Sequence, residues 1–252
     1  MNLDIKDKIA LVTGASAGLG KAIAFSLARE GVKVAISGRR KEVLDETAME
    51  IRNETEAQVL TFVGDMTQKG NVTALVNQVV DDWNTIHILV NNVGQATRGQ
   101  LDSLSQRDWQ QAFEVNLLSA VYCTKQVIPL MKKQKWGRII NISALSGTEP
   151  GEELIVSNVV KSGVISFSKT LSRELASDNI LVNCVSPGLI NSPQNDGYFS
   201  QQEREMVQKA IPLRRFGESK EFADTVVFLC SERASYVTGI NLIVDGGTSH
   251  SV

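Results

Sequence analysis

The chain has 252 residues, 42% of them hydrophobic and 21% charged, with a formal net charge of −2. A chain of this size buries a sizeable core without disulfides or a structural metal. The near-neutral charge excludes broad electrostatic attraction to nucleic acid or to anionic lipid. In chain order, Lys8–Val12 reads as a strand and Gly18–Arg29 as a helix. Val32–Ser37 is a strand, followed by a charged helix from about Lys41 to Asn53. Gln58–Val63 reads as strand, Asn71–Asp82 as helix and Ile86–Val90 as strand. A long helical region covers about Leu104 to Lys133, as one helix or two, before the strand Arg138–Ile142. Val156–Ala176 is helix and Ile180–Val185 strand. A polar loop, helices near Gln201–Lys209 and Lys220–Cys230, and a last strand, Ile240–Val244, complete the chain.

Apolar strands alternating with amphipathic helices predict a parallel sheet covered on both faces. The expected fold is α/β: a three-layer, doubly wound, Rossmann-like arrangement with about seven strands. It occupies residues 1–252 as one domain, with a lid around 186–210, where Ser186–Ser200 is rich in Pro, Gly, Asn and Ser. Cys123, Cys184 and Cys230 sit among apolar residues without metal-site spacing and read as buried thiols of a reducing compartment. The N-terminus lacks signal-peptide character, and no apolar run approaches the roughly 20 residues that span a bilayer. A cytoplasmic protein is expected, with no membrane or nucleic-acid partner and no metal.

The first strand runs into Thr13-Gly14-Ala15-Ser16-Ala17-Gly18-Leu19-Gly20, and a helix follows. Glycines there let the backbone turn tightly and approach a pyrophosphate, while the helix N-terminus offers free N–H groups and a positive dipole end. The spacing is Gly-x-x-x-Gly-x-Gly.

This motif resembles the TGxxxGxG signature of the short-chain dehydrogenase/reductases. Asn91-Asn92-Val93-Gly94 resembles the family's NNAG, and Pro187-Gly188 with Ser192 its PGxxxT segment. Pro212–Gly217, Tyr236–Gly239 and Val244–Gly247 are similar to the C-terminal third of bacterial 3-oxoacyl-acyl-carrier-protein reductases. The resemblance covers essentially the whole chain. It implies a nicotinamide dinucleotide held by Gly14, Ser16, Gly18, Leu19, Gly20, Arg39, Asp65, Met66, Asn91, Gly94, Lys161, Pro187, Gly188, Ile190 and Ser192. Gly38 stands where NAD-binding members carry an acid, and Arg39 is next, so NADP(H) is favoured over NAD(H).

The family's chemistry uses Ser, Tyr and Lys, with a supporting Asn. Ser143, Lys161 and Asn116 match three of these. The tyrosine is missing: four residues before Lys161, where helical spacing puts both side chains on one face, stands Ser157. A serine hydroxyl is a far weaker acid than a phenol, whose pKa is about 10, and reaches less far. Three routes stay open. A water held by Ser143, Ser157 and Lys161 supplies the proton; another acid enters, from Glu149, Glu152, Glu153 or Tyr198; or redox chemistry is lost. His87, inside a strand, reads as structural. The expectation is an NAD(P)(H)-dependent oxidoreductase reducing a carbonyl or oxidising a secondary alcohol, 3-oxoacyl-thioester-reductase-like, with an altered proton donor. The alternative is a non-redox dinucleotide-binding scaffold, or a dehydratase or isomerase on the same fold. The resemblance also implies a homotetramer, or a dimer, built on the long helices and the C-terminal strand.

Overall fold

The strands form where β-branched and leucine-rich runs are buried on both sides. In the computed structural model, which describes residues 2–192 and 200–251, these are β1 (Ile9–Val12), β2 (Lys33–Gly38), β3 (Val59–Val63), β4 (Ile88–Asn91), β5 (Gly137–Ile142), β6 (Ile180–Pro187) and, near the C-terminus, β9 (Asn241–Val244). All pair in parallel, in the order β3-β2-β1-β4-β5-β6-β9. Successive residues face opposite layers. Ala10 and Val12 pack with Ile23, Leu27, Phe222 and Val226, whereas Ile9 and Leu11 pack with Leu75, Val79, Val127 and Leu171. The first layer belongs to α1 (Gly18–Arg29), α2 (Lys41–Thr55) and α8 (Ser219–Leu229); the second to α3 (Lys69–Trp83), α5 (Ser119–Gln134) and α6 (Ile155–Leu175).

The expected long helical region resolves into three parts. A capping box of Ser105 and Asp108 starts α4 (Gln106–Phe113), a π-helical turn follows at Glu114–Leu118, and α5 continues the rod. Two features escaped the sequence pattern. Strands β7 (Ile190–Asn191) and β8 (Gly217–Glu218) pair in parallel outside the main sheet, and both are too short to show periodicity. The expected lid is described in part. Helix α7 (Gln201–Ala210), capped by Ser200 and Glu203, lies within it, whereas 193–199, with Tyr198, fall outside the described residues.

The chain winds β1-β2-β3 outward and returns to lay β4 on the other side of β1. That reversal opens a crevice at the carboxyl ends of β1 and β4, where ligands of such sheets bind. At the opposite, amino ends of these central strands, His87 has a structural partner. Its Nδ1 accepts the Ile9 N–H at 3.1 Å, and its ring meets Trp136 edge-on at 5.8 Å. Burial, helped by the nearby Lys8 cation, pushes its pKa from 6.5 down to about 4. The folded ring is neutral, so between those values protons favour the unfolded chain. The stability His87 contributes is complete above pH 6.5 and is lost as pH falls to about 4. Denaturant midpoints across this window should fall further for the parent protein than for His87→Asn, whose carboxamide oxygen stands where Nδ1 does and still accepts from Ile9; parallel declines would refute the assignment.

Candidate active site

The turn from β1 to α1 is held from three sides. Thr13 Oγ1 accepts the Asn92 N–H at 3.1 Å, and Asn92 Nδ2 donates to Gly14 O at 2.9 Å and Thr13 O at 3.2 Å. Ala15 N donates to Ser37 O on β2, and Thr47 Oγ1 of α2 donates to Ser16 O. Gly14 and Gly18 take left-handed φ values of 63° and 56°. Gly20 is required by contact: a Cβ there would lie 2.4 Å from Gly14 O and 2.5 Å from Asn92 Nδ2. Helix α1 begins with no side-chain cap and no acidic residue in its first turn, so its leading N–H groups stay available to an anion. At the end of β2, a Cβ on Gly38 would sit 3.1 Å from the Ser16 side chain. Arg39 and Arg40 are exposed beside it, and neither makes an ion pair among the described residues. Asp65 receives the Thr67 N–H next to the buried Met66. These groups form a cradle suited to a dinucleotide: glycine turn, open helix end and free cations.

The reacting end lies across the crevice. Ser143, at the end of β5, is buried; its Oγ donates to Lys161 O at 2.9 Å and its N–H donates to Val185 O. Lys161 projects from α6 with Nζ donating to Ile142 O at 3.4 Å. No carboxylate pairs with it among the described residues, and burial pushes its pKa from 10.5 down to about 8. Asn116 sits in the π-helical turn. Its Oδ1 accepts Gln95 N, and its Nδ2 donates to Gln95 O and Ala112 O. Gly94 joins the two halves: a Cβ there would be 2.9 Å from Lys161 Nζ and 3.1 Å from Asn116 Oδ1, yet Gly94 itself is exposed. Gly188 is fixed by its N–H to Val244 O, with no room for a side chain against Asp245.

Residues 14–249 match the family described as enoyl-(acyl carrier protein) reductase. The chain is 38% identical to nodulation protein G of Rhizobium sp. (strain N33), over 97% of this chain and 98% of that protein. It is 36% identical to the 3-oxoacyl-[acyl-carrier-protein] reductase FabG of Aquifex aeolicus, over 98% and 99%. The L-sorbose reductase of Gluconobacter frateurii, solved with NADPH and L-sorbose, superposes with a TM-score of 0.95 at 32% identity, covering all of both chains. The chain belongs to the short-chain dehydrogenase/reductase family. With the family comes the class of reaction, NAD(P)-dependent oxidation and reduction.

Within that family, Ser157 is the informative position. It lies one turn before Lys161 and is buried, but its hydroxyl is committed elsewhere. It accepts the Thr97 N–H at 2.8 Å and donates to Thr97 O at 3.1 Å. Beside it Gly99 bridges to Leu154, with Gly99 N donating to Glu153 O. Segment 95–99 is thus laid against the start of α6, over the point where a longer side chain at 157 would emerge. The other acids stay away: Glu149 holds the C-terminal tail, and Glu152 and Glu153 are exposed. Asn91 is turned inward, donating to Thr124 Oγ1 and Asn141 Oδ1 rather than facing the glycine turn. Its neighbour Asn92 does the stitching; it was not among the expected site residues, although it stands in the same Asn-Asn-Val-Gly motif. Burial raises Cys184 to about 11 and Cys123 and Cys230 to about 12, so no thiol is an anion at neutral pH. No cluster of three or more His, Cys, Asp or Glu suits a metal, and no helix is long and apolar enough to cross a membrane, among the described residues.

Gly20→Ala should abolish measurable NADPH binding by calorimetry while far-ultraviolet dichroism stays near that of the parent; retained affinity would remove the turn from the cofactor site. Ser157→Ala leaves two backbone groups of Thr97 without partners and should lower unfolding free energy by about 1–3 kcal/mol in urea titrations. A neutral change would mean that the clasp is not formed in solution.

Proposed function

We propose that this single-domain chain is an NADP(H)-dependent reductase of small carbonyl compounds, reversible toward secondary alcohols, in which Lys161 rather than a phenol supplies the proton. The observation that carries this reading is the Lys161 ammonium: buried beside Ser143 and Gly94, with no carboxylate partner among the described residues, while Ser157 is engaged by Thr97. A reduced dinucleotide, when bound, supplies hydride. The glycine turn and the α1 N-terminus would hold its pyrophosphate, with Gly94, Pro187, Gly188, Ile190 and Ser192 around the nicotinamide end. Arg39, with Arg40 beside it, would pair with a 2′-phosphate, and the tight space at Gly38 supports this reading, since it disfavours the acid that would select a 2′-hydroxyl.

For the protein's own groups, the proton bookkeeping is simple. Lys161 Nζ holds the proton that the substrate oxygen takes as it becomes an alcohol. Ordered water between Nζ and Ser143 Oγ carries it. Ser143 turns its hydroxyl toward the substrate oxygen in place of Lys161 O, and Asn116 fixes Gln95, hence the wall beside Gly94. Burial helps here: an ammonium near pKa 8 is a far better acid at neutral pH than an exposed one. The names of the relatives span 3-oxoacyl thioesters and a keto sugar, and these bound the substrates to try. We place the protein in the cytoplasm, in keeping with its three free, buried cysteines. A homotetramer is the proposed assembly. The outer edge of β9 has no strand partner among the described residues, and two-fold pairing would cover it.

NADPH oxidation followed across 3-oxoacyl thioesters and keto sugars tests the reading, with NADH alongside. We expect NADPH to be preferred by at least about tenfold. The ammonium form is lost as pH rises through about 8, so reductive kcat/KM should fall above that pH and oxidative kcat/KM should rise. Ser157→Ala should keep that limb. Tight NADPH binding with no turnover on any carbonyl would overturn the proposal in favour of a non-redox role.

A further inference from the structure

The segment after Gly94 crosses the start of α6 in a fixed register. Gly94 lies against Lys161, where a Cβ would stand 2.9 Å from Nζ. Thr97 meets Ser157, its N–H donated to Oγ at 2.8 Å and its carbonyl accepting the hydroxyl at 3.1 Å. Gly99 meets the residues just before the helix, its N–H donated to Glu153 O at 2.8 Å. Lys161 and Ser157 are one turn apart and share a face of α6, so the segment runs back along that face toward the helix start. A further contact holds its near end. Asn116 Oδ1 accepts the Gln95 N–H at 3.0 Å, and Nδ2 donates to the Gln95 carbonyl at 3.1 Å.

These holds fall on Gln95, Thr97 and Gly99, every second residue. That is the period of an extended chain, whose alternate peptide groups point to the same side. Asn116 and Ser157 take the place of a neighbouring strand, each serving both backbone groups of one residue. Packing contributes less: none of residues 94–99 is buried. Between the segment and α4 lies a hollow of about 230 Å³, lined by 95–98 with Asp108, Gln111, Ala112, Val115 and Asn116. The segment therefore has space to give way, and its hydrogen bonds decide whether it does. Ser157 Oγ reaches both the N–H and the carbonyl of Thr97. A longer side chain on the same path would need the place of that residue's backbone.

We propose that Ser157 is a positioning residue: it latches segment 95–99 as a wall along the Lys161 face of α6, and this wall limits the bulk of the carbonyl substrate. The limit on bulk rests on the carbonyl-reductase reading; the latch does not. The test takes the full-length protein as Ser157→Ala, Ser157→Thr and Ser157→Tyr. Hydrogen exchange, read amide by amide without substrate, should speed up by about tenfold at Thr97 in Ser157→Ala. Gln95, held by Asn116, should change less. Ser157→Thr, whose hydroxyl makes the same two bonds, should restore the parent rate. Ser157→Tyr should free Thr97 as well, and it reads the latch should Ser157→Ala fail to fold. The kcat/KM ratio of a phenyl-substituted to a methyl-substituted 3-oxoacyl thioester should rise about tenfold in Ser157→Ala and return to the parent value in Ser157→Thr. Unchanged exchange at Thr97 overturns the latch, whether or not NADPH is consumed. Faster exchange with an unchanged ratio overturns the limit on bulk. A parent protein that turns over no carbonyl removes that limit together with the reductase reading, while exchange still decides the latch.

Discussion

The Gly14 carbonyl accepts a hydrogen bond from the Asn92 carboxamide, and this contact depends on β1 and β4 being neighbours. Because the chain returns from β3 to lay β4 against β1, the end of one strand can hold the turn that leaves the other. Gly20 must then be bare, since the Asn92 amide and the Gly14 carbonyl occupy the space of a side chain. With Asn92 committed to the turn, Gly94 comes to rest against Lys161 and Asn116. One hydrogen-bonded junction at the sheet reversal therefore sets the cofactor cradle and the reacting end in a fixed relation.

The reacting end is an exercise in desolvation. Lys161 donates to the Ile142 carbonyl with no carboxylate to balance it among the described residues, and its lowered pKa follows from burial. A carboxylate nearby would raise the pKa and blunt the ammonium as an acid. Ser157, by contrast, spends both its hydrogen-bonding capacities on Thr97, which makes it a fastener for segment 95–99. The two residues stand one turn apart on α6, and their surroundings give them different work.

Much of this was legible beforehand. The apolar runs Lys8–Val12 and Arg138–Ile142 announced buried strands, and Gly18–Arg29 was bounded correctly because its glycine turn and charged end are local signals. The grouping of Asn116, Ser143 and Lys161 followed from family motifs. What escaped depends on contacts between distant segments. Thr97 carries no local mark, and its link to Ser157 spans 60 positions. Glu149 was read as an acid that could enter the site; in the fold it holds the tail instead, about a hundred residues later. Asn91 faced inward because strand alternation, which the motif does not record, sends its side chain to the Asn141 layer.

The π-helical turn at Glu114–Leu118 carries one residue more than an α-helix would place there. Each residue of an α-helix advances the azimuth by about 100°. Forcing that stretch into regular α-winding without removing a residue would rotate everything from Ser119 to Gln134 about its axis by about that angle. Val127 and Met131 would leave the core, and Lys125 or Lys132 would be driven toward it. The bulge is therefore a phase setting. It lets the same rod present Asn116 to the crevice and an apolar stripe to the sheet, two demands that uniform winding could not meet together.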